Sequence, residues 1–212
     1  MAQFILVRHG ETEANRKGCY AQSPEDPLTN RGIDQVRQAA AHISKVLMTR
    51  IVVANPLVRA RQSGEIIAQA LGVPLEIVEG LEEQNFGNLS GQPVHSFAAN
   101  ARSPRWLWRP TGGESSEDVC RRVVPVLERL CARYVNDDYV VVSHAAVMRS
   151  VWMHLSGHLE RWDYGHSPDN GSMILITHRS GRMTIPSLLN ISATAVITRN
   201  PGKEPTPPYD YP

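Results

Sequence analysis

Phe4-Ile5-Leu6-Val7-Arg8-His9-Gly10-Glu11 begins with four apolar residues and breaks at once into charge, an imidazole and a glycine. An uninterrupted apolar run this short is the pattern of a strand buried on both faces of a parallel sheet. The pattern returns at Tyr139-Val140-Val141-Val142-Ser143-His144, again ending in a histidine. Between the two, Ile51-Val52-Val53-Ala54 stops at Asn55-Pro56 and leads into Arg59 and Arg61. In open α/β sheets, ligands bind beyond the carboxyl ends of strands, where the strand order reverses. If these strands are parallel, His9, His144, Arg8 and Arg59 gather at one rim. Guanidinium forks and neutral imidazoles together suit a tetrahedral anion.

Helices alternate with these strands. Ile33, Val36, Ala40, Ile43 and Leu47 recur at spacings of three and four behind Thr29 or Asn30 as N-cap. A second helix is expected from Val58 to Leu71, ending at Gly72 with Pro74 beyond, followed by a strand at Leu75–Val78. Ser115 is placed to cap a long helix whose apolar stripe is Val119, Val123, Val126, Leu127, Leu130 and Tyr134. A shorter helix is expected at Ala146–Leu155, and a late hairpin at Met173–Thr177 and Met183–Ile185, turning at Ser180-Gly181. The reading is a three-layer α/β/α sandwich around a mostly parallel sheet. We expect one domain over residues 1–199, a small inserted cap at about residues 84–113 where no period holds, and a Pro-rich tail at 200–212.

Composition narrows the partners. The 212 residues carry 22 Lys plus Arg against 21 Asp plus Glu, a net charge of +1, so no global field draws the chain to nucleic acid or an acidic membrane. No apolar run approaches the roughly 20 residues of a membrane span, and the amino terminus lacks a signal-peptide pattern. Cys19, Cys120 and Cys131 are an odd count without a CxxC pair, which indicates neither a disulfide framework nor a zinc knuckle. His154 and His158 stand four apart, but Ser156-Gly157 between them breaks a helix and no third ligand is near. The expectation is a soluble cytoplasmic protein acting on a small molecule, with no metal, no cofactor, no nucleic acid and no membrane. Its oligomeric state, a homodimer included, stays open.

Leu6-Val7-Arg8-His9-Gly10-Glu11-Thr12-Glu13-Ala14-Asn15 resembles the signature of the histidine phosphatase superfamily, which includes the cofactor-dependent phosphoglycerate mutases. Four further stretches agree in order: Pro27-Leu28-Thr29-Asn30-Arg31-Gly32, Asn55-Pro56-Leu57-Val58-Arg59-Ala60, Leu81-Glu82-Glu83-Gln84-Asn85-Phe86-Gly87, and Val142-Ser143-His144 with Arg149. Gly112-Gly113-Glu114-Ser115 matches a stretch common in the phosphatase branch. The resemblance implies a phosphoglycerate mutase-like fold and metal-independent hydrolysis of phosphomonoesters. By that resemblance His9 is the nucleophile that becomes phosphohistidine, and Arg8, Arg59 and His144 form the anion cradle. Glu83 is the general acid, Asn15 completes the phosphate pocket, and Ala145 lends a backbone N–H where relatives often carry glycine.

Alternatives stand beside these readings. Glu82 adjoins Glu83, so the acid rests on register alone. Arg61 has no role that the resemblance assigns. Trp106, Trp108 and Arg105 in the cap read either as specificity determinants or, for the tryptophans, as anchors of the cap to the core. The segment lacks the Arg-His-Tyr run and paired arginines by which mutases grip a second anionic group. That favours a phosphatase over a mutase or a non-catalytic phosphate-binding module.

Overall fold

A computed structural model describes residues 2–21, 23–95, 106–157, 168–179, 182–184, 190–192 and 195–197. The tail at 200–212, Arg105 and His158 lie outside them. Strands β1 (Ala2–Arg8), β2 (Thr49–Ala54), β3 (Leu75–Ile77) and β4 (Asp138–Ser143) are parallel and stand in the order β3-β2-β4-β1. The chain leaves β1, skips one position to make β2, moves outward to β3 and returns to fill the gap with β4. This return is the reversal of strand order that opens a crevice above the carboxyl ends.

Beyond β1 the sheet turns antiparallel, through β5 (Met173–Arg179), β7 (Asn190–Ser192) and β8 (Ala195–Ile197), with β6 (Arg182–Thr184) hairpinned on β5. The sheet is therefore half parallel rather than mostly so. Met173–Ile176 is as continuously apolar as β1, because such a run reports burial on both faces and is silent on direction. The late hairpin pairs β5 with β6 as expected, its turn at Ser180-Gly181 lying outside the described residues, whereas β7 and β8 gave no readable period.

Alternation along the strands sends side chains to two cores. Phe4, Leu6, Val53, Tyr139 and Val141 face α4 (Ser116–Arg133) and α5 (Ala145–Ser156). Ile5, Val7, Val52, Ala54, Val140 and Val142 face α2 (Asn30–Val46) and α3 (Val58–Leu71). Helices thus cover both faces, and the three-layer expectation holds.

The helix ends follow local chemistry. The Thr29 hydroxyl accepts from the Gly32 N–H to start α2. Ser115 and Asp118 close a reciprocal capping box on α4, and Gly72 ends α3 in the left-handed region. One short helix was not foreseen: α1 (Glu13–Arg16), capped by Thr12. Among the described residues no helix is long and apolar enough to cross a membrane.

Candidate active site

Strand register sets the centre of the site. Arg8 pairs with Ser143 and Ala54 with Val142, so His9, His144 and Asn55 each follow the end of a parallel strand at one level of the sheet. The His9 and His144 rings meet edge to face with centroids 5.0 Å apart, and both are buried. The backbone after His9 is pressed onto the first turn of α2: a Cβ on Gly10 or Gly32 would collide with the main chain of the other segment. Ser63 on α3 accepts from the Gly10 N–H at 3.2 Å and donates to the Arg59 carbonyl at 2.7 Å. That one hydroxyl joins the turn after His9 to the turn that carries Arg59.

Hydrogen bonds assign both imidazole tautomers. His9 Nδ1 lies 2.7 Å from the Gly10 carbonyl, so Nδ1 holds the proton and Nε2 keeps its lone pair. Asn55 Nδ2 donates to His144 Nε2 at 2.6 Å and to the Leu81 carbonyl at 2.9 Å, which leaves the proton of His144 on Nδ1. Burial, then the charges of Arg59 and Arg8, hold His9 well below the ordinary imidazole range. Burial, Arg59 and His9 do the same to His144. Both rings are neutral near pH 7.

Arg59 is buried with them, and Arg8 partly so. Arg59, in the first turn of α3, is 4% exposed and donates to the Ser23 carbonyl at 3.3 Å. Arg8 donates to the Pro168 carbonyl, and desolvation lowers its guanidinium to about 10 against the pull of Glu83 and Asp169. The charge of Arg149 on α5 acts on Arg8 as well. Two buried donors here, Arg8 Nε and His144 Nδ1, have no hydrogen-bond partner among the described residues. Orphaned donors cost roughly 1–3 kcal/mol each, and in a cluster of positive charge they are suited to an anion's oxygens.

The two candidate carboxylates go different ways. Glu83 Oε1 accepts from the Gln84 N–H at 2.9 Å and from the Ala146 N–H at 3.2 Å, beside His144, and its charge acts on both Arg8 and Arg59. Glu82 turns away, accepting from the Gly80 N–H at 3.0 and 2.9 Å, with Arg122 3.6 Å off. Ala145 is buried as the first residue of α5. Asn15 sits at the rim, but its Oδ1 is already bonded to the Thr12 N–H at 3.2 Å and to Asn170 Nδ2 at 3.0 Å. It closes the cap of α1, and its oxygen is not free for a ligand. Arg61 is exposed and pairs with Glu65 on its own helix.

The described ends of the segment expected to form a cap meet just past Glu83. Gly87, at φ +52°, and Gly113 pack back to back, the Asn88 N–H donates to the Thr111 carbonyl at 3.0 Å, and the Glu114 N–H donates to that of Asn85 at 2.8 Å. The two tryptophans part company. Trp106 is buried in the core under α4, with Val119 and Met153. Trp108 is partly buried against Phe86, Leu89, Tyr20 and Ala146, two residues beyond His144. Tyr20 stacks on Phe86 with centroids 3.9 Å apart and donates to the Val94 carbonyl, tying the loop after α1 to the cap.

Several contributors were not singled out from the sequence. Asn55 looked like a turn residue before proline, yet it is fully buried and orients His144. Asn170 donates to the His9 carbonyl at 3.0 Å from a segment with no period.

Comparison with known proteins places the molecule among phosphatases, hydrolases of phosphoric monoesters. The chain belongs to the histidine phosphatase superfamily (branch 1), whose family model matches residues 4–191. It is 31% identical over 201 residues to phosphoserine phosphatase 1 of Hydrogenobacter thermophilus, covering 91% of this chain and 93% of that protein. It is 30% identical over 170 residues to a 2,3-bisphosphoglycerate-dependent phosphoglycerate mutase of Parvibaculum lavamentivorans, covering 72% and 79%. A solved phosphoserine phosphatase mutant of Entamoeba histolytica, in complex with phosphoserine, superposes with a TM-score of 0.74 at 25% identity, over 89% of this chain and 96% of that one.

Proposed function

We propose that this phosphatase hydrolyses a small phosphorylated metabolite through a phosphohistidine on His9. The observation that carries this reading is the neutral, buried His9 ring, fixed through Nδ1 to the Gly10 carbonyl and flanked by Arg8, Arg59 and His144. With Nδ1 tied down, Nε2 is the nitrogen available to attack phosphorus. The P–O bond to the leaving group breaks as the Nε2–P bond forms. Arg8, Arg59 and the Nδ1–H of His144 take the charge that spreads over the equatorial oxygens.

Glu83, rather than Glu82, is the carboxyl suited to protonate the leaving oxygen, because it alone of the two lies beside His144 and the two arginines. As a carboxylate it then draws a proton from water, which attacks the phosphohistidine and releases inorganic phosphate. The N–H groups at the start of α5, Ala145 among them, add a positive helix end near the phosphoryl group. Asn15 contributes through its rim position, with only its amide N–H group left to donate.

Positive charge supplied by side chains makes this chemistry independent of a metal. Hydrolysis of nitrophenyl phosphate is expected to continue in EDTA and to be blocked by vanadate, which takes up the five-coordinate geometry of the transferring group. Loss of activity in EDTA that zinc or magnesium restores would contradict the reading. The relative named as a mutase makes a second assay worthwhile. Release of phosphate should outpace interconversion of phosphoglycerates, and the reverse would make the chain a mutase.

A further inference from the structure

Arg122 lies outside the phosphate cradle, on the second turn of α4, yet its whole guanidinium serves the segment that carries Glu83. Nη1 donates to the carbonyls of Gly80 and Glu82, each at 3.1 Å, and Nη2 to that of Glu83 at 3.4 Å. Nε and Nη2 also form a two-point pair with Glu114, at 3.0 and 2.9 Å. Glu114 extends the same grip: its carboxylate accepts from the Asn85 N–H at 2.9 Å, and its carbonyl from Gln84 Nε2 at 2.6 Å. Residues 78–86 form neither helix nor strand, so no regular ladder fixes the direction of these peptide groups. Asn55 and Ser143 fix the Leu81 carbonyl in the middle of this stretch, and the arginine and its carboxylate partner order the peptide groups on either side.

We propose that the Glu114–Arg122 pair is the positioning device of the general acid. It holds the Gly80–Asn85 backbone so that the Glu83 carboxyl meets the leaving oxygen, and it touches no substrate itself. The inference rests on the reading of Glu83 as the acid. The pair is only about a quarter exposed on each side, 26% for Arg122 and 23% for Glu114, so solvent screens it less than a surface bridge. A planar fork with five N–H donors can hold a carboxylate and three carbonyls at once, which a lysine cannot. Precision matters here because a misplacement of about 1 Å in a catalytic group costs on the order of 10²-fold in rate.

A plain structural anchor and a positioning device differ in what their loss does to different leaving groups. Proton delivery matters greatly for an alkyl phosphate and little for nitrophenyl phosphate. The test is the ratio of kcat/KM for these two substrates in the wild type, Arg122→Met, Arg122→Lys, Glu83→Gln and the Arg122→Met/Glu83→Gln double variant. Arg122→Met is expected to lower the alkyl-to-nitrophenyl ratio by roughly 10- to 100-fold, with Arg122→Lys intermediate. In the Glu83→Gln background it should lower the ratio no further.

A single factor on both substrates, or an equal drop in the ratio with and without Glu83, would overturn the proposal. If Glu83→Gln by itself leaves the ratio unchanged, the acid reading fails first and the proposal falls with it. Should Arg122→Met not fold, Glu114→Gln carries the same test. It removes one side of the fork, and an unchanged ratio in that soluble variant overturns the proposal.

Discussion

The proposed phosphate end and the proposed acid end of this site are built in different ways. His9, His144 and Asn55 are the first residues past three parallel strands, and the pairing of Arg8 with Ser143 and of Ala54 with Val142 sets their relative height. Moving any of them means breaking the sheet. Glu83 stands in an irregular stretch, held by Arg122, Glu114 and the Ala146 N–H. Under the proposed mechanism the first end meets only the phosphoryl group, common to every substrate of the class, and is suited to rigidity. Under the same mechanism the second meets the part of the substrate that varies, and side-chain contacts on a loop can be altered without cost to the core.

The contrast is sharpest at the carboxylates. Glu83→Gln is expected to slow alkyl phosphates by about 10²- to 10⁴-fold and nitrophenyl phosphate much less, while Glu82→Gln leaves that preference close to wild type. If the two variants behave the other way round, the acid is Glu82 and the choice made from the Ala146 contact is wrong.

A smaller effect separates the tryptophans. Trp106→Ala should cost roughly 3–5 kcal/mol of stability, read from urea unfolding, since it empties a core position. Trp108→Ala should instead shift kcat/KM among different phosphate esters relative to nitrophenyl phosphate, with little loss of stability. Equal factors on all substrates would make the Trp108 cluster scaffolding.

These two residues also show where sequence reading stops. Strands β1 and β4, the limits of α3 and the cap of α4 were legible because apolar runs, helical spacing and a Ser before the stripe are local signals. His9 and His144 were legible because each ends such a run. Trp106 and Trp108 share one short motif and opposite surroundings, a difference set by what packs over each from distant parts of the chain. Asn55 hid behind its proline. Arg122 read as one more charge on the polar side of an amphipathic helix, since nothing in its spacing reveals the carbonyls of Gly80, Glu82 and Glu83. Pro168 and Asn170, which serve Arg8 and His9, come from a stretch without periodicity.

The response to acid belongs to the strand-registered end. His9 and His144 are held neutral in the fold, well below their unfolded value of about 6.5. Above that pH neither state binds the extra protons, so the two imidazoles add no slope. Below it the unfolded chain takes them up and the folded chain does not, so stability falls as pH falls. Each ring contributes up to about 1.4 kcal/mol per pH unit. His178, buried at the other end of β1 and lowered chiefly by desolvation, acts with the same sign. Urea midpoints at pH 7.5 and 5.5 check this, and His9→Gln should flatten the slope. Equal midpoints would mean that the imidazoles charge freely in the fold.

The most direct test is of the covalent bond itself. Wild-type protein mixed with ³²P-labelled phosphomonoester and quenched within the first turnover should carry label that is lost in acid, as phosphohistidine is. His9→Ala, folded by circular dichroism, should carry none and hydrolyse no substrate above background. Active wild-type protein without an acid-labile phosphoenzyme, or a folded His9→Ala variant that retains turnover, would contradict a phosphatase built around His9.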